Sequence, residues 1–585
     1  MSTYLYYGMI AIRLLFLLVS VLGWLAYLQK KIRVEFALGV LLCGIGSLMF
    51  AAGIFHIMRE AAWLIFFGGL WFAYGEIREI RVRKAGILSA LSRIFTPGII
   101  TFGLLAVFFL ALLFRSEFTH YDNFSHWGVA AQVISRKDMF PNPADTNVTF
   151  TSYPLGSAAF IYYITEIVGT APEWLQMWAQ AVLMAGLLVS LFAFGSGIVC
   201  WLTVGAGTIM LLAGNTPFVD LLVDTLLPAI AVGGMAFSIY YQEELEEKIW
   251  FVIPYVVFLV SVKNSGALFA VLILLYAMAR LPKTRENLNK FVIPVLSPAV
   301  MIFFWNRHVE QLFDDGTVSK HAMRVDNFQQ ILSDKTPQDL TAIVEAFWQS
   351  TADNAEPLVY LILMSVAILL FRKLVLKKNC RELGSILLVV AVFYVAYLAG
   401  LLGMYILTMP LEEALMMAGY ERYHQTVILF AAGVVLLSVI RELGECRILR
   451  HGTVFAAILA VLMLQLTGAV VNPQYDYYSR QSLEGTERAR FDRLIEAYGL
   501  WPEDRYLILV SEERDDAGYL HWLTYYLLDP EEVVIADVPY VMEELDENEF
   551  NFVIMFEDTE INREYLKTQF GITEEVGYIA GKPLH

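Results

Sequence analysis

Apolar runs recur along this chain at short intervals, and several, such as 99–114, 358–371 and 387–402, are nearly unbroken. A bilayer core takes about 20 mostly apolar residues per helix. Backbone groups in lipid must bond within their own segment, so each run is predicted to be a helix. The strict alternation of a membrane β-strand is missing. The run lengths predict about fourteen crossings, near 5–28, 34–57, 62–76, 97–115, 175–195, 197–213, 222–241, 250–263, 265–280, 291–306, 357–371, 384–404, 424–440 and 453–471. The first has neither a basic leader nor a small-residue cleavage site, and it reads as a membrane helix rather than a removed signal. Arg13 inside it has no explanation in the sequence.

Three segments outside these spans, 116–174, 307–356 and the tail from 472, are too long for simple turns. In the tail, short β-branched or aromatic runs at 506–510, 533–536 and 552–556 alternate with helical stretches at 518–528 and 541–547. That order predicts a small α/β domain with a parallel sheet. The chain thus divides into N-terminal membrane helices (1–96), a membrane core (97–471) and a C-terminal domain (472–585).

Composition agrees with the pattern: 58% of residues are hydrophobic and 17% charged, against roughly 25% charged in soluble domains. An ordinary soluble globule is excluded. Much of the net charge of −17 lies in the tail, which predicts no nucleic-acid partner. Lysine and arginine collect in five connections, 30–33, 78–84, 280–290, 372–381 and 441–450, which fall on one side of the predicted topology. By the positive-inside rule that side is cytoplasmic, with the N-terminus and the tail outside. The acidic connection 242–248 does not follow the pattern. None of the four cysteines falls in an outside segment, so no disulfide framework is expected. A bacterial plasma membrane suits these features.

Candidate chemistry concentrates in the first long loop, 118–169. Asp122 follows a membrane helix, and Phe124, Trp127, Val129, Ala131 and Ile134 can form one face of an amphipathic helix lying on the bilayer. A second such helix is predicted after Tyr153-Pro154, ending at Gly169. A carboxylate between two interfacial helices suits chemistry on a lipid head group; the plain alternative is a helix N-cap. Asp220 and Asp224, spaced i, i+4, are predicted to share a helix face at the outer end of a span. They either line a cavity or sit in interfacial water. Lys263-Asn264-Ser265-Gly266 breaks an apolar run, which suggests a turn at the outer surface with Lys263 either meeting a phosphate or snorkelling. Arg422 and Tyr423 begin another span, where Arg offers a planar fork to phosphate or the pair anchors the helix end. Basic residues recur at 319–324. His120, His126 and His321 lack the spacing of a metal site, and no divalent metal is assigned.

The early acidic residue Asp122, the Tyr153-Pro154 pair, Tyr162-Tyr163 and Gly169 resemble the multi-spanning GT-C glycosyltransferases, which include protein O-mannosyltransferases and the aminoarabinose transferases of lipid A. The resemblance covers roughly 97–440. This chain has Asp122-Asn123 where many relatives carry Asp-Glu, and Ser152-Tyr153 where some carry a lysine before the proline pair. The resemblance implies an inverting transferase that moves a sugar from a polyprenyl-phosphate donor to an extracytoplasmic glycan, lipid or protein. It makes Asp122 the general base and places His126, Tyr153, Asp220, Asp224, Lys263, Arg422 and Tyr423 around the substrates. No cofactor beyond the donor lipid is implied. A transporter or flippase, and a non-catalytic envelope assembly factor, are the rival readings.

Overall fold

The computed structural model describes residues 3–83, 92–145, 147–215, 218–313, 331–446, 449–471, 480–502, 504–516, 518–545 and 549–578. The chain forms two compact units. The larger comprises Met1–Ser116, Ala130–Pro143 and Phe150–Arg480; the smaller comprises Glu117–Val129, Ala144–Thr149 and Gln481–His585.

The larger unit is helical, and each predicted span lies on a helix. Among the described residues, eight helices are long and apolar enough to cross a bilayer, including Val34–Ile54, Arg381–Leu407 and Tyr420–Glu445. Shorter apolar helices, among them Gly156–Val168, Leu226–Tyr240 and Gly266–Arg280, accompany them. Burial sorts the long ones. Val34–Ile54 and Tyr420–Glu445 are enclosed by protein, whereas Arg285–Leu312 and Arg381–Leu407 leave most of their apolar surface open. Such open apolar faces are what lipid covers.

Val34–Ile54 is packed through a repeat of small residues. Gly39, Gly46 and Gly53 stand seven residues apart, two helical turns, and so on one face. Tyr255, Phe258 and Phe140 press against them; a β-carbon at these glycines would lie 2.1–2.4 Å from the Tyr255 hydroxyl and the two phenylalanine rings. Small residues let neighbours approach this closely where the hydrophobic effect gives no drive between helices. Arg13 also finds its reason here. Its guanidinium lies against Gly169, which caps Gly156–Val168 with φ 76°, and a cation at a helix C-terminus is favoured by the helix dipole.

The basic connections meet in one ionic layer. Lys30 pairs with Glu76 and Glu79, each at 3.0 Å. Arg33 reaches the Tyr240 hydroxyl at 3.1 Å. Lys290 meets Glu246 at 3.6 Å, Arg441 meets Glu382 at 2.9 Å, and Lys378 meets Glu445 at 2.6 Å. Gln242 joins the two groups through Glu382 at 2.8 Å. The acidic connection 242–248 contributes one counter-charge to this layer, Glu246 beside Lys290.

In the smaller unit, strands β1 (Arg505–Leu509), β2 (Glu532–Ala536), β3 (Phe552–Met555) and β4 (Val576–Tyr578) form one sheet in the order β2-β1-β3-β4. β1 runs parallel to β2 and β3; β4 is antiparallel to β3. β1 and β3 are buried almost throughout, as continuous apolar runs require when both faces are covered. Leu507, Leu509, Val541, Val553 and Leu566 form the core of one face. Helices Glu487–Tyr498, Tyr519–Leu528, Val538–Glu544 and Glu560–Tyr565 are interleaved with the strands.

Candidate functional site

Asp220 and Asp224 do not share a helix face, contrary to the i, i+4 expectation. Both precede helix Leu226–Tyr240, in a non-helical stretch. The Asp220 carboxylate accepts the Leu222 backbone N–H at 3.0 Å, a local turn bond that competes with helix formation. Both carboxylates are buried.

Around Asp224 the chain assembles a compact charged group from three distant segments. Lys263 stands where helix Ile253–Val262 stops and the turn before Gly266–Arg280 begins. Its extended backbone (φ −159°, ψ 148°) turns it out of the helical path. Its ammonium donates to Asp224 Oδ1 at 3.0 Å. Arg422, in the first turn of Tyr420–Glu445, brings Nε to 3.5 Å from Asp224 Oδ2. Tyr423 lies beneath both cations, its ring centre 4.8 Å from Lys263 Nζ and 5.6 Å from the Arg422 guanidinium. A ring face adds cation–π attraction to the ion pairs.

The framework around the group is hydrogen-bonded. Thr426 donates to the Asp224 carbonyl at 3.2 Å and to the Arg422 carbonyl at 3.0 Å. Asn215, with φ 70°, donates to the same Arg422 carbonyl at 2.9 Å. Tyr397 donates to the Tyr423 carbonyl at 3.3 Å. The side chain of Asp224 is 4% exposed, against 15% for Lys263 and 28% for Arg422, so the carboxylate forms the floor and the cations the rim. Lys263 has three N–H donors, and Asp224 takes one. The rest can serve an anion. The three side chains together carry one net positive charge.

Asp224, Lys263, Arg422 and Tyr423 are thus brought together. Asn215, Thr426 and Tyr397 were missed: a threonine or tyrosine inside an apolar helix gives no signal until its partner is known. Arg33 and Asp224 stand near opposite ends of Leu226–Tyr240, separated by about 22 Å at 1.5 Å per residue. The site therefore occupies the end of the bundle remote from the ionic layer.

Asp122 and His126 belong to the smaller unit. His120, not Asp122, caps the short helix Tyr121–Ser125, its Nδ1 accepting the Asp122 backbone N–H at 3.1 Å. Asp122 lies in the first turn, half-buried, and its carbonyl accepts the His126 N–H at 3.1 Å. The His126 ring is buried beside Trp127, with centres 4.5 Å apart. Tyr153, in the larger unit, stacks on Phe150 with ring centres 5.2 Å apart.

The two interfacial helices are not lipid-facing. Phe124, Trp127, Val129, Ala131 and Ile134 are all buried in protein. The second helix follows the Tyr153-Pro154 pair as expected, spanning Gly156–Val168 with Gly169 as its cap, but all of it except Glu166 is buried. An apolar stripe fits a protein core as well as a membrane surface. The basic group at 319–324 lies outside the described residues. Among the described residues, no cluster of three or more His, Cys, Asp or Glu is arranged to hold a metal. Comparison with protein-family models, with curated proteins and with solved structures gives no match to this chain.

Proposed function

We propose that the protein is a membrane glycosyltransferase of GT-C type that takes a sugar from a polyprenyl-phosphate donor and passes it to an extracytoplasmic acceptor. The observation that carries this reading is the convergence of Lys263 and Arg422 on Asp224 at one end of the membrane helices. A carboxylate-floored pair of cations, with Lys263 carrying donors beyond the one that Asp224 takes, suits the phosphate of a lipid whose tails lie between apolar helices. In this reading the chain crosses the bilayer about fourteen times. The ionic layer faces the cytoplasm of a bacterial cell, and the N-terminus and the C-terminal domain lie outside.

In the reaction, Asp122 takes the proton of the acceptor hydroxyl. The hydroxyl oxygen then attacks the anomeric carbon, and the bond from that carbon to the phosphate oxygen breaks, with inversion. The electron pair leaves with the lipid phosphate, whose charge Lys263 and Arg422 stabilise. A phosphate leaves as a stable anion, so cations replace the acid that a glycosidase needs. One carboxylate for alignment and deprotonation then suffices. His126, Tyr153 and Asp220 are assigned to substrate contacts.

A second reading, a lipid transporter, is favoured by the interruption at Lys263–Ser265 between two short apolar helices, since broken helices mark transporter sites. One experiment separates the two. Purified protein is given polyprenyl-phosphate sugars and membrane extract. Transfer that is lost in Asp122→Asn and shows a raised donor KM in Lys263→Met supports the transferase. Equal transfer by wild type and Asp122→Asn, both folded, refutes it. Lipid translocation without transfer identifies the transporter.

A further inference from the structure

We propose that the C-terminal domain sets the placement of Asp122, with Gln481, Arg488 and Tyr519 acting as its positioning residues. This rests on the reading of Asp122 as the base and goes beyond it, since that reading gives the tail no role.

Three consecutive backbone carbonyls ahead of Asp122 each receive a side-chain donor from the tail. Gln481 Nε2 donates to the Glu117 carbonyl at 2.9 Å, Arg488 Nη1 to Phe118 at 2.8 Å, and the Tyr519 hydroxyl to Thr119 at 2.9 Å. Gln481 also accepts the Glu117 N–H at 2.9 Å, which closes a two-point clamp on that peptide. The next residue, His120, holds the Asp122 N–H. Beyond Asp122 the clamp resumes. The Phe124 ring sits 5.7 Å from Tyr519 and 5.2 Å from Tyr526, and the Arg488 guanidinium lies over both Phe124 and Tyr526.

Asp122 is therefore bracketed within two or three residues on each side by contacts to one domain. A helix of five residues cannot fix a side chain by itself, because helices this short are unstable alone. The orientation of Asp122 is set by the tail. Displacing a reacting group by about 1 Å costs up to a hundredfold in rate, so these contacts bear on turnover rather than on binding of the donor lipid.

The test compares full-length wild type, Tyr519→Phe, Asp122→Glu and the double variant in sugar transfer, with amide exchange of residues 119–126 read in parallel. Tyr519→Phe removes one hydroxyl and keeps the ring. We expect its kcat to fall roughly tenfold, the worth of one hydrogen bond at the upper end, with donor KM and melting temperature unchanged. Exchange at 119–126 should quicken by a similar factor. In the Asp122→Glu background, where the carboxylate is already displaced, Tyr519→Phe should lower kcat less than about twofold. An unchanged kcat, a full tenfold loss in both backgrounds, or unchanged exchange at 119–126 each overturns the proposal. Wild type that transfers no sugar defeats instead the reading of Asp122 as a base, and the exchange measurement still decides whether the clamp exists.

Discussion

Replacing Asp224 by asparagine keeps the shape of the side chain and removes the charge that Lys263 and Arg422 share. At an effective dielectric of 20, an ion pair at the 3.0 Å separation of Lys263 and Asp224 is worth about 5 kcal/mol in gross attraction. Breaking a buried pair on one side costs about 3–5 kcal/mol. The cations here keep some solvent, 15% exposure for Lys263 and 28% for Arg422, and Arg422 stands farther off at 3.5 Å. Both facts lower the figure to about 2–3 kcal/mol. Lys263→Met should cost less, because Asp224 retains Arg422. The double variant should be no less stable than Asp224→Asn alone, since losing both charges leaves one fewer unpaired cation. Thermal unfolding of the four proteins in one detergent, followed by circular dichroism, measures this. Midpoints that fall additively would show that the two residues do not interact, and the assignment of a charge-coupled site would fail with them.

Two further outcomes concern the smaller unit. Arg488→Ala removes a nearly buried guanidinium that bonds the Phe118 carbonyl and pairs with Glu117 at 3.3 Å. A loss of about 1–2 kcal/mol is expected from the lost hydrogen bond and packing, with new protease cleavage within 117–129; an unchanged digestion pattern contradicts it. Burial raises the carboxyls of Asp516 and Glu557, but hydrogen bonds, those from Arg514 among them, outweigh it and hold both below their ordinary values of 3.8 and 4.5. Groups depressed in the folded state stabilise it above the unfolded value and lose that stability as pH falls through the folded one. The C-terminal unit should therefore loosen on acidification below these ordinary values, and Arg514→Met should flatten that dependence. Equal acid sensitivity of wild type and Arg514→Met, read by tryptophan fluorescence, speaks against it.

The membrane helices were legible because an apolar run long enough for a bilayer has few other uses. The strands β1, β2 and β3 were legible as short β-branched runs. β4 was not, because three residues at a sheet edge carry no periodic signal. Lys263, Asp224, Arg422 and Tyr423 each stood out singly, as charge or amphipathic rings beside apolar sequence. Their meeting did not: Asp224 and Lys263 are 39 residues apart, and no local pattern encodes a contact at that distance. The stripe Phe124–Ile134 was misassigned to the membrane for a related reason. Amphipathicity reports that one face is covered and says nothing of what covers it. Phe124 is covered by Tyr519 and Tyr526, almost 400 residues downstream at Tyr519. The separation tells why the sequence carried no sign of what the tail does.

The unequal lengths of the helices have a consequence for the lipid itself. Pro97–Leu113 has 17 residues and Gly266–Arg280 has 15, and both show apolar side chains at the surface, Leu104 and Leu275 among them. At 1.5 Å per residue they reach about 25 and 22 Å, short of a hydrocarbon core of about 30 Å. Arg381–Leu407, with 27 residues, exceeds it. Such hydrophobic mismatch is relieved by local thinning of the bilayer beside a short helix and by tilt of a long one, at a fraction of a kcal/mol per Å. The lipid annulus would therefore be uneven, with head groups drawn inward wherever a short helix meets the lipid.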